Sequence, residues 1–173
     1  TEQTLLDLGS NGTSDSYRLS LKGNVGGDPV ELKIIESAAG LVARTSTGYS
    51  ASTWHHACAV VYSSTNWSVF IDGGSEGNNT TDQSPVTIDR TTIGSYNYSG
   101  SFGAYMDGRI ANAAIWVSAL DDYEIAALAA GYSPLLIRPT DLGFYVPLVR
   151  DNDDDVVGGL SLSVGGTPTI AEH

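Results

Sequence analysis

Residues 54–72 read WHHACAVVYSSTNWSVFID, running from Trp54 to Asp72. Two runs rich in β-branched and aromatic residues, HACAVVY and WSVFID, flank the turn formers Ser63, Ser64, Thr65 and Asn66, which predicts a β-hairpin. In the first run Ala57, Ala59 and Val61 share one face, while Cys58, Val60 and Tyr62 share the other. Apolar residues on both faces are expected of a strand covered on each side, so the hairpin belongs at the centre of a sandwich. Asp72, Gly73 and Gly74 then supply the positive φ at which the chain reverses.

Working outward toward the N-terminus, the alternation predicts further strands. Thr4 to Leu8 is a short apolar segment and Gly9 to Ser16 a polar loop. In YRLSLK, Tyr17, Leu19 and Leu21 alternate with Arg18, Ser20 and Lys22, the pattern of a half-buried strand. Val30 to Glu36 and Leu41 to Thr47 read as a hairpin around Ala38, Ala39 and Gly40, in a meander.

Toward the C-terminus, Gly73 to Pro85 reads as a long polar loop, Val86 to Ile93 as a strand, Gly94 to Ser101 as a polar loop, and Gly103 to Val117 as a strand pair. One segment has helical signals. Asp121 is placed to cap, Glu124 stands three residues later as in a capping box, and Ile125, Leu128 and Ala129 share a face. Gly131 suits the left-handed position beyond the helix end and Pro134 bars continuation, giving about three turns that plug one end of the sandwich. Phe144 to Val149 and Leu160 to Val164 are the last strand candidates.

The 173 residues suit one domain with a substantial core, residues 1–173. A charged fraction of 16% with 20 glycines favours short strands and many turns over long helices. The net charge of −12, from 20 acidic and 8 basic residues, argues against a nucleic-acid partner, which Lys and Arg clusters would bind. Cys58 is the single cysteine, so no internal disulfide or Cys/His zinc spacing exists, and it reads as a small buried hydrophobe. No apolar run is long enough for a membrane helix. The sequons at Asn11, Asn66, Asn78, Asn79 and Asn97 are what chance yields in a chain rich in Ser, Thr and Asn.

The order of motifs carries a family likeness. Trp54-His55-His56 opens a strand, Phe70-Ile71-Asp72-Gly73 closes the next, and Thr92-Ile93-Gly94-Ser95 follows. Then come Phe102 to Ile110 with Asp107-Gly108-Arg109, Ile115-Trp116, Ala119-Leu120, and Glu124, Ile125 and Gly131. This succession resembles the laminin-G-like, concanavalin A-like jelly-roll domains, over roughly residues 50–135. The resemblance implies an all-β jelly-roll sandwich with one short helix. The family's usual opening strand is not visible, so the domain is expected to lack a first strand upstream of Thr1 or to take it from a neighbouring subunit. The tail, with GFYVPLVRD, Gly158-Gly159 and GGTP, resembles tails in bacteriophage or viral gene products.

Jelly-roll glucanases that the chain resembles cleave with carboxylates spaced Glu-x-Asp-x-x-Glu, so that alternate residues face one cleft. Glu31, Glu36, Glu76 and Glu124 each lack those partners, and the chain reads as no enzyme. A triad of His55 or His56 with Ser50 or Ser52 is set against the absence of a nucleophile elbow, and a local packing role for the Trp-His start is preferred. The candidate calcium site is the run Asp151, Asn152, Asp153, Asp154, Asp155, with Asp72 and Asp107 to complete it; the competing reading is a solvated turn of like charges. Trp67, Tyr96, Tyr98 and Tyr105, in or near predicted loops, are the candidate ligand-binding aromatics, since sugars stack on π-faces. Trp54 and Trp116 fall inside strand patterns and are assigned to the core. These features point to a non-catalytic, oligomeric surface module. The first expectation is a phage or virus virion component, a capsid decoration or tail fibre, contacting other virion or surface subunits. The alternative is a secreted glycan-binding lectin module, with calcium as its possible cofactor.

Overall fold

A computed structural model describes residues 1–149 and 153–165. Strands β1 (Glu2–Gly9), β2 (Ser16–Lys22), β3 (Pro29–Glu36) and β4 (Ala39–Gly48) are followed by β5 (Ala57–Ser63), β6 (Asn66–Ile71) and β7 (Gly74–Asn79). Then come β8 (Arg90–Ile93), β9 (Tyr96–Tyr98), β10 (Ser101–Gly103) and β11 (Ala113–Trp116), the helix α1 (Asp122–Ala129), a 3₁₀ turn (Pro134–Leu136) and β12 (Leu142–Val146). The main sheet has the order β4-β3-β2-β1-β8, and a three-stranded sheet β5-β6-β7 lies against it. All the strand pairs among the described residues are antiparallel.

The hairpin of β5 and β6 takes the expected central place. Trp67, Val69 and Ile71 of β6 recur with period two and meet Val30, Leu32 and Ile34 of β3, with Tyr17, Leu19 and Leu21 of β2 and Ala57 and Ala59 of β5 closing the cluster. The opposite face, carrying Cys58, Val60 and Phe70, is covered by Leu120, Ile125 and Leu128. Both faces are thus packed, while Val61 and Tyr62 at the hairpin end stay exposed. Burial pushes the Cys58 thiol up to about 12, in keeping with a packing role.

The helix has the expected capping box: Asp121 accepts from the Glu124 backbone N–H at 3.0 Å, and Glu124 accepts from the Asp121 N–H at 2.8 Å. Gly131, at φ 91°, takes the left-handed position. With eight residues it makes a little over two turns rather than three, and it covers the outer face of the β5–β6 hairpin rather than plugging an end.

Several segments depart from the reading of the sequence. β7 occupies what reads as loop, because Asp72 and Gly73, with φ of 52° and 75°, make the two-residue turn that folds Gly74–Asn79 back on β6. Its side chains carry no apolar signal; backbone pairing and polar side-chain bonds, such as Ser68 to Glu76 and Asn79 to the Val42 carbonyl, define it. Conversely, Val86 is 83% exposed and only Arg90–Ile93 of the Val86–Ile93 run forms a strand, β8. The predicted loop at Gly94 to Ser101 holds the β9–β10 hairpin. Of Gly103 to Val117, only Ala113–Trp116 pairs beyond the end of β10, joining β12. Leu160 and Val164 are exposed and in no strand.

The polar face of β2 is the largest correction. Arg18, Ser20 and Lys22 are all buried, so β2 is covered on both sides. An ion-pair ladder runs across this outer face of the main sheet. Lys22 bonds Glu2 at 2.7 Å and lies 3.5 Å from Glu31, which in turn binds Arg44 at 2.7 Å.

Candidate functional site

Asp7 on β1 organises the outer face. It is fully buried, accepts from Arg18 Nε at 3.2 Å through Oδ1, and accepts from the Asn97 backbone N–H at 3.1 Å through Oδ2. Burial raises its pKa above the ordinary aspartate value, against the Asn97 N–H and the Arg18 charge, which pull it down. One carboxylate therefore ties both β2 and the β9–β10 hairpin to the sheet. Arg18 lies with its guanidinium carbon 3.9 Å from the centre of the Tyr96 ring, a cation–π contact. Gly103, the cross-strand partner of Tyr96, makes room for it: a Cβ there would lie 2.5 Å from the Tyr96 hydroxyl.

Beside this stack a cavity of about 190 Å³ opens on the sheet. Tyr96 and Tyr98 form one side, Arg18 and Lys33 supply charge, and Ile35, Ala38 and Gly40 complete the lining. It is smaller than the ~300–1,000 Å³ of sites that enclose drug-sized molecules, and suits a single ring or terminal group. Tyr98 is 46% exposed, so its ring is open to a ligand.

The structure brings two of the four candidate aromatics together, Tyr96 and Tyr98. Tyr105 is exposed but does not line the cavity. Trp67 is fully buried, its indole N–H donating to the Thr81 carbonyl at 3.2 Å, whereas Trp54, assigned to the core, is 57% exposed. Trp116 packs at the α1 cluster and donates to the Ile137 carbonyl at 2.8 Å, as a core residue should. Arg18 and Lys33 were missed as site residues, since strand alternation marks them only as a solvent face.

The candidate calcium ligands occupy separate places. Asp151 and Asn152 lie outside the described residues. Asp155 accepts from the backbone N–H groups of Tyr145, Val157 and Gly158 at 2.9, 3.0 and 2.9 Å. Its burial favours the neutral form, yet these donors outweigh it and hold the pKa below the ordinary value. Asp153 accepts from the Val149 N–H, and Asp154 from Leu162 at 3.3 Å. Asp107 is exposed, its N–H donating to Gln3 at 2.7 Å. Among the described residues no group of three or more His, Cys, Asp or Glu side chains is placed to hold a metal ion.

Asp72 instead binds histidine. His55 Nδ1 stands 2.8 Å from Asp72 Oδ2, and His55 Nε2 lies 3.0 Å from both the Ser50 N–H and Ser50 Oγ. The His56 N–H donates to Asp72 Oδ1 at 2.9 Å. The backbone donation from Ser50 makes Nε2 an acceptor and leaves Nδ1–H to donate to Asp72. The connectivity is that of a serine triad, and the same bonds tie the entry of β5 to the β6–β7 turn.

A family model described as the concanavalin A-like lectin/glucanases superfamily, of the laminin-G type, matches residues 1–126. The chain belongs to that superfamily. Its antiparallel sheets, with a single short α-helix among the described residues, are the jelly-roll architecture of a laminin-G-like domain. The superfamily domain is also similar to the crystal structure of an S-layer domain-containing protein (residues 221–444) from Clostridium thermocellum ATCC 27405. Identity is 21% and the TM-score 0.44, over 74% of this chain and 63% of that one. No curated protein matches the chain.

Proposed function

We propose that this chain is a non-catalytic, lectin-like binding module that works at a cell surface or outside the cell and holds a glycan in the cleft of Tyr96 and Tyr98. The cleft is the observation that carries the reading: two tyrosines, one with its ring open, stand beside charged donors on a rigid sheet, the combination of π-face and polar groups with which proteins hold sugars. Superfamily membership agrees with such a role. The virion placement gains no support from the proteins the chain resembles, and part of the tail that motivated it, 150–152 and 166–173, lies outside the described residues.

A glycan array probed with the labelled chain is the test. Saturable binding to a subset of sugars is expected, weakened at least tenfold by Tyr98→Ala, with no release of reducing ends on prolonged incubation. Binding untouched by Tyr98→Ala moves the site elsewhere; sugar cleavage overturns the non-catalytic reading.

A further inference from the structure

We infer that the cleft selects an anionic sugar, one whose ring carries a carboxylate or a sulfate, and that Lys33 holds the anion. The inference rests on the glycan-binding reading and adds the class of ligand.

The ladder across the main sheet supplies the argument. Asp7 stands opposite Arg18, and Arg18 opposite Lys33, whose neighbour on β4 is Val42. Like charges directly opposite each other on adjacent strands are destabilising. The rest of this face alternates in sign, Glu2 with Lys22 and Glu31 with Arg44. Here Arg18 is already committed, through Nε to Asp7, through Nη1 to Glu2 at 3.9 Å and through its face to Tyr96. Lys33 is half-buried and makes no hydrogen bond or ion pair among the described residues. In a chain with 20 acidic and 8 basic residues, a lysine in a cavity without a carboxylate partner is unusual. Many carboxylates are available, yet among the described residues none is placed against it.

Geometry aims the ammonium at the cavity. The Lys33 stem crosses Gly40, where a Cβ would lie 2.7 Å from Cε and 3.5 Å from Nζ. The missing side chain at Gly40 therefore leaves both the path of Lys33 and the floor of the cleft open. A sugar ring against Tyr98 would put a ring carboxylate or sulfate within reach of Lys33, and the anion would relieve the Arg18–Lys33 repulsion as it bound. A charge-assisted bond from a partly desolvated ammonium is the stronger kind.

The test is an array carrying uronate-bearing, sulfated and neutral oligosaccharides, followed by calorimetric titration of the best binders with the wild type, Lys33→Gln and Lys33→Arg. Anionic sugars are expected to bind, with affinity falling about tenfold or more in Lys33→Gln and largely kept in Lys33→Arg. Salt near 1 M, where the Debye length is about 3 Å, weakens anionic sugars more than neutral ones. The uronate and sulfate arms show which anion is preferred. Neutral sugars bound as tightly as anionic ones, with Lys33→Gln silent and an unchanged melting temperature, overturn the inference and leave the lectin reading standing. Binding to no sugar overturns both.

Discussion

Trp67 fills the centre of the sandwich, and Trp54 stands at its surface, although both open apolar strand runs. Trp67 shares the face of Val69 and Ile71, which meets β3, while Trp54 precedes the first paired residue of β5 and lies at the surface beside Ala111, Asn112 and Val149. Trp67→Ala should lose about 3–5 kcal/mol in denaturant unfolding, the range for a large buried aromatic. Trp54→Ala should lose roughly 1 kcal/mol or less, as exposed sites do. Equal losses would show that the two indoles are not placed as described. Period two likewise lets Tyr96 and Tyr98, two apart on β9, reach one cleft, whereas Tyr105, beyond the end of β10 and in no strand, does not line it.

β7 shows how an element with no apolar code is held. Its backbone pairing with β6 is joined by polar side-chain bonds, Ser68 donating to Glu76 at 2.6 Å and Asn78 to Asn66 at 3.0 Å, and β4 passes directly behind it, so close that a Cβ on Gly77 would lie 1.7 Å from the Arg44 carbonyl oxygen. Backbone cannot step aside as the end of a side chain can. Gly77→Ala should therefore cost at least the ~1–3 kcal/mol of an overpacked site, and it should loosen amide exchange in β4 and β7 before the rest of the sheet. Wild-type stability in the variant would mean the two strands do not approach as described. The neighbouring Asp72-Gly73 turn was readable because a positive φ asks for such residues, whereas a polar strand between two others asks for nothing in particular.

Acid should unfasten the whole molecule at its tail. Asp155 has its pKa held below 3.8, so its contribution to stability is full above that pH and lost as the pH falls through the depressed folded value. The raised pKa of Asp7 acts in the opposite sense, since protonation there relieves the cost of a buried charge as the pH falls. Asp155→Asn should lower unfolding stability by about 1.5–3 kcal/mol at neutral pH, the range for hydrogen bonds to a charged group. The gap to the wild type should close as urea titrations are carried below pH 3.8. A gap independent of pH would mean that the charge on Asp155 is not what holds residues 157 and 158 to β12.

Period-two alternation and turn chemistry were enough to read the β5–β6 hairpin, the β1–β4 meander in outline and the capped helix, because each is decided by neighbours a few residues away. The motif order from Trp54 to Gly131 was enough for the superfamily. The cleft was legible only in half. Tyr96 and Tyr98 could be picked out as aromatics near a loop, but Arg18 and Lys33 look like any polar face until the register sets them opposite each other and the β9–β10 hairpin folds over them. Likewise the acidic run looks like a cation site until Asp155 is seen accepting three backbone N–H groups. Chain-local patterns specify elements; which polar residues meet is decided by pairing between strands far apart in sequence, and that pairing is set by the tertiary fold.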